Sequence, residues 1–155
     1  MRRTIAVGAF FCFIGGPTLA LAGDPIATTD GEAPGTSLKV TELKASNGAV
    51  TLKFTIVNDG SQTFDPDTLN DSRDGSLHDH HAVGGVYLID AANKKKYLAV
   101  FDTDNHCICS RNSHDIQAKS SANLWVKFPA PPDSVTKIGV VVPHFVPMDD
   151  VPLSR

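Results

Sequence analysis

From Val50 to Ile56 apolar and polar residues alternate strictly. Val50, Leu52, Phe54 and Ile56 fall on one side, and Thr51, Lys53 and Thr55 on the other. Successive side chains of a strand point to opposite faces, so this segment predicts a strand with one buried and one wet face. Leu38, Val40 and Leu43 open an earlier strand. Asn47-Gly48, between the two, is the pair favoured in a type I′ hairpin turn. Asn58-Asp59-Gly60 closes the second strand. Val86 and Leu88, with Val83 before them, start a strand that runs to Asp90; "AANK" turns the chain and Tyr97 to Phe101 runs back. Ile116 to Ser120 is expected as a short edge strand. Leu124, Val126 and Phe128 alternate around Trp125 and Lys127. After "PAPPD" breaks the chain, Ile138 to Val142 forms a nearly continuous apolar strand.

No segment carries apolar residues at the i, i+3, i+4, i+7 spacing of an amphipathic helix. Short strands separated by turn signals predict an all-β fold, an immunoglobulin-like antiparallel β-sandwich of about seven strands. The Cys…Trp…Cys spacing of antibody domains is absent. The sandwich is expected over residues 37–155. Residues 23–36, rich in Gly, Pro and Thr and without periodicity, read as a flexible lead-in. The last segment, "PHFVPMDDVPLSR", carries three prolines and is expected to lie along the sandwich as an extended tail. Ser61 to Ala82 is long for a connection in a small domain, which suggests a functional loop or one carrying a short edge strand, and Asp102 to Asp115 forms a second long loop around the cysteines.

The first 22 residues change the later counts. Arg2 and Arg3 precede an apolar run from Ile5 to Ile14, and Ala20-Leu21-Ala22 supplies small residues before a cleavage point after Ala22. That is the layout of a secretory signal peptide. The run is too short for a membrane span and Gly15-Gly16-Pro17 interrupts it, so no span is expected in the mature chain. Cys12 has Phe11 before it, where a lipoprotein signal wants a small residue. Cleavage would leave 133 of the 155 residues, with twelve basic against 17 acidic side chains and a net charge of −5. That balance offers no basic face for phosphates, so no nucleic-acid partner is expected. The one basic run, Lys94-Lys95-Lys96, falls at a predicted turn. The expected location is exported, periplasmic or secreted.

Candidate chemistry concentrates in "DNHCICSRNSH", residues 104–114. Cys107 and Cys109 are the two cysteines of the mature chain, and in an oxidising compartment an intramolecular disulfide is the default. Closing it requires the loop to bend, because residues i and i+2 of an extended strand lie near the upper limit of disulfide geometry. Metal ligation and thiol-redox chemistry are the other two roles that fit the pair. All six histidines follow the leader. "LHDHHA" places His78 and His80 on one side of an extended backbone, with His81 beside them. With His106 and His114 from the other long loop, they form a candidate copper or zinc set. "DPDTLNDSRDG" fails the calcium-loop pattern, because Leu69 and Asn70 occupy the fifth and sixth positions. There is no nucleophile elbow and no glycine-rich phosphate loop, and Ser113-His114-Asp115 is contiguous, unlike a catalytic triad. An enzyme is not expected.

"GGVYLIDAANKKKYLAVFDTDNHCICS", "FPAPPDSVTKIGVVVP" and the later "VPL" resemble bacterial exported immunoglobulin-like domains of unknown function. Actinobacterial-type members are the most similar, and there the domain can precede an OmpA-like peptidoglycan-binding module. The resemblance covers roughly Leu38 to Leu153. It implies the same sandwich, a structural bond shared at Cys107-Ile108-Cys109, and an envelope binding module with no activity. "HDHH" lies outside that pattern. The expected function is therefore a non-catalytic interaction module of the bacterial cell envelope. Its partner is an unknown envelope or extracellular protein, met by a sheet edge or by the two long loops. A periplasmic copper or zinc binder is the alternative, and a Cys-x-Cys redox protein a weaker one.

Overall fold

A computed structural model describes residues 24–70, 81–111 and 114–155. Eight strands form two four-stranded antiparallel sheets. The first sheet contains β1 (Ala27–Asp30), β2 (Thr36–Ser46), β3 (Ala49–Asn58) and β6 (Ser120–Pro129), side by side in that order. The second contains β5 (Lys95–Leu98), β4 (Tyr87–Asp90), β7 (Lys137–Val141) and β8 (Met148–Pro152), also in that order. The chain crosses between sheets after β3, after β5 and again after β6, the connectivity of an immunoglobulin-like sandwich.

The core forms where the sequence pattern places it. Val50, Leu52, Phe54 and Ile56 of β3 and Leu124, Val126 and Phe128 of β6 are buried against Leu88 of β4, Ile138 and Val140 of β7, and Met148 and Val151 of β8. In β2 the buried set is Leu38, Val40, Leu43 and Ala45. The spacing changes from even to odd because a bulge falls between Val40 and Glu42, which keeps Leu43 inward and turns Glu42 to solvent. The β2–β3 hairpin closes through Asn47 and Gly48 with φ of 52° and 78°, the two positive values a type I′ turn requires.

Three expectations need correction. Ala27–Asp30, within the expected flexible lead-in, pairs antiparallel with β2 from Ala27↔Val40 to Asp30↔Ser37. Its Ile-Ala-Thr-Thr run is β-prone, and a neighbouring edge supplies the hydrogen bonds that periodicity could not reveal. The tail contains a strand, since β8 pairs with β7 through Ile138↔Val151 and Val140↔Met148 and ends on Lys137↔Pro152, with Pro147 just before it. Ile116 makes a single bridge to Phe64 rather than opening an edge strand, because Lys119 with φ of 62° turns the chain into β6.

Candidate functional site

Cys107 and Cys109 flank a bend at Ile108, and both are buried, at 3% and 4% exposure. Their sulfurs are bonded, with the Cα atoms 5.3 Å apart. The surrounding backbone runs along the free side of β6. The Ile108 carbonyl accepts from Lys127 N–H (3.0 Å), Ser110 N–H donates to the Trp125 carbonyl (2.8 Å), and Trp125 N–H donates to Ser110 Oγ (2.9 Å). Val100 N–H adds a bond to the Lys127 carbonyl (2.9 Å). Asp102 reverses the chain before this segment. Its carboxylate accepts from His106 N–H (2.8 Å) and Asp104 N–H (3.0 Å), and those donors, His106 first, hold its pKa below the ordinary carboxylate value. The paired cysteines therefore sit inside the sandwich and fix a segment that covers the edge of β6.

The candidate metal histidines are dispersed among the described residues. His81 Nδ1 lies 2.9 Å from Asp67 Oδ1, beside a 3-10 turn over Pro66–Leu69. His106 Nδ1 lies 3.5 Å from Asp102 Oδ2, and His144 pairs with Glu32 at 2.9 Å. No group of three or more His, Cys, Asp or Glu that could hold a metal ion comes together among the described residues. His78 and His80 lie outside those residues, and among the described residues no ion pair joins His114 to His81, His106 or His144. The flanks of the two long connections do meet. Phe64 and Ile116 exchange both backbone hydrogen bonds (3.0 and 2.9 Å), and Val83 N–H reaches the Ser110 carbonyl (3.3 Å). Beside them, at the same end of the sandwich, opens a shallow cavity of about 340 Å³ lined by Glu32, Thr63, Phe64, Asp65, Thr68 and His144.

The two outward faces of the sandwich differ in character. On the first sheet Thr51, Lys53, Thr55, Asn123 and Lys127 project outward around Trp125, with Lys53 paired to Glu42 at 3.2 Å. On the second sheet Tyr87 stands between Leu98 of β5 and Val141 of β7, a ladder of three apolar side chains across three strands. The next rung is Lys96–Ile89–Gly139. Leu98 is 59% exposed and Ile89 39%, while Tyr87 and Val141 are half-buried. Lys96 Nζ lies 3.5 Å from the centre of the Tyr87 ring, a cation–π contact.

This ladder was missed in the sequence, although its signal is present there. Val86 to Ile89 and Ile138 to Val142 are nearly continuous apolar runs, the pattern of strands covered on both faces. Among the described residues they are covered on one. No helix among those residues is long and apolar enough to cross a membrane. No protein-family model, curated protein or solved structure matches the chain.

Proposed function

We propose that this chain is an exported, non-catalytic interaction module that meets a partner protein through the outer face of its second sheet. One observation carries the reading: β4 and β7 carry apolar side chains on both faces, and the face bearing Tyr87, Ile89, Leu98 and Val141 has no cover among the described residues. Exposed contiguous apolar surface of this kind marks association sites, whereas single exposed apolar residues do not. The polar outer face of the first sheet supplies the internal contrast. Export is supported by the signal-peptide layout of residues 1–22 and by a cystine in the core, a bond that persists in oxidising compartments. The partner is an envelope or extracellular protein.

The test is affinity recovery from the export compartment of the producing cells, with wild type beside an Ile89→Lys/Leu98→Glu variant and a Thr51→Lys/Thr55→Glu control. The reading predicts one protein recovered in stoichiometric amount by wild type and control and lost with the face variant. Recovery unaffected by the face variant would overturn it.

A further inference from the structure

We propose that the outer edge of β5 receives an extended acidic segment of the partner as an added strand. The inference deepens the interaction reading and rests on it. Four flanks of the two sheets invite comparison. The C-terminal end of β1 is covered by the stretch before β8: Val146 N–H donates to the Asp30 carbonyl (3.1 Å) and Glu32 N–H to the His144 carbonyl (2.8 Å). Where β1 has ended, the C-terminus takes over the edge of β2, with Ala45 N–H on the Ser154 carbonyl (2.8 Å) and Ser154 N–H on the Leu43 carbonyl (3.0 Å). β6 is covered by the cystine segment. β8 is blunted by a bulge: four residues from Met148 to Val151 stand against three from Val140 to Ile138, and Asp150 has φ of 54°.

β5 is left. Its four residues bond to β4 on one side, and on the other side no backbone partner faces them among the described residues. Such an edge offers a row of N–H and C=O groups to a strand from another chain. Its charge narrows what can pair. Lys94, Lys95 and Lys96 stand together in a chain of net charge −3, and none of them takes part in an ion pair among the described residues. A second copy pairing antiparallel through β5 would set lysines against lysines, which is unfavourable across a strand pair. A strand with carboxylates reverses that sign, so the feature that blocks self-pairing selects an acidic partner. Leu98 and Lys96 share the outward face of β5 with the Tyr87 ladder. Lys95, opposite Asp90, lies on the other face, so an incoming strand that alternates apolar with acidic side chains continues the ladder beside Leu98 with one set and reaches Lys95 with the other.

Fluorescence anisotropy with the full chain and designed peptides of about eight residues tests this directly. One probe alternates glutamate with valine, a second has lysine for glutamate, and two more carry N-methyl groups on opposite alternating sets of the acidic peptide. Saturable binding of the acidic probe is expected, at least about tenfold tighter than the basic one and weakened by salt. Methylation of one set abolishes it and methylation of the other leaves it intact, because only one row of amides faces β5. Lys95→Glu/Lys96→Glu inverts the preference between probes. Equal binding of acidic and basic probes, no binding of either, or indifference to both methylation patterns would overturn strand addition. If that happens while the face variant still loses its partner, strand addition alone falls. If the face variant also keeps its partner, the interaction reading falls with it.

Discussion

The side-chain amide of Asn58 is buried at the end of β3 and is hydrogen-bonded through both its nitrogen and its oxygen. Its Nδ2 donates to the carbonyls of Gln62 (2.8 Å), Ile116 (2.9 Å) and Gln117 (3.3 Å), and its Oδ1 accepts from Gly60 N–H (3.1 Å). One side chain thus joins the entrance of the first long connection to the exit of the second. Asn58→Ala is expected to cost about 1–3 kcal/mol, because buried backbone groups lose their partner; urea unfolding measures it, and a loss under about 0.5 kcal/mol would contradict the role. The sequence reading took Asn58 as a strand terminator, which it is. Its contacts 58 residues away along the chain leave no trace in local pattern. Asp90 is the second such residue. Asn93 donates to its carboxylate through the side chain (2.8 Å) and the backbone (3.1 Å), and these bonds, the side-chain one foremost, hold its pKa below the ordinary 3.8. A lowered folded pKa stabilises the protein above the ordinary value, and the contribution is lost as pH falls through the folded one. The stability gap between wild type and Asp90→Ala should therefore be constant above about pH 5 and close in acid. A gap that widened on acidification would contradict the assignment.

At the scale of elements, strict alternation was legible and pairing was not. β3 and β6 could be read from their side chains because one face is apolar and the other wet, and Asn47-Gly48 named its own turn. β1 and β8 escaped because edge stretches of four and five residues look like loop until a neighbour satisfies their backbone. The cysteine segment lies between these cases. Its spacing limited the roles the pair could have, and only its place against β6 shows what the bond holds. A ring this small removes little freedom from the unfolded chain, so the bond acts locally. Cys107→Ala/Cys109→Ala is expected to cost on the order of 1–3 kcal/mol and to leave the fold intact. Amide exchange at Ile108 and Ser110 should accelerate while β3 stays protected. Unchanged exchange at those two amides would show that the segment holds to β6 without the bond.

At the scale of the whole molecule, the two outward faces and the flanks tell one story. The polar face belongs to the first sheet, at whose flanks the molecule's own chain bonds to the end of β1, to β2 and to β6. The apolar ladder belongs to the second, which also carries the β5 edge that has no backbone partner among the described residues. The runs that build this face were visible as sequence, but their meaning depends on which side of each strand the core occupies, and that is a property of the assembled sheets. The most direct measurement is photocrosslinking in the producing cells, with a benzophenone side chain placed at position 89 of the second sheet or at position 51 of the first. The account predicts a discrete protein adduct from position 89 and none from position 51. Adducts of equal strength from both, or from position 51 alone, would contradict it.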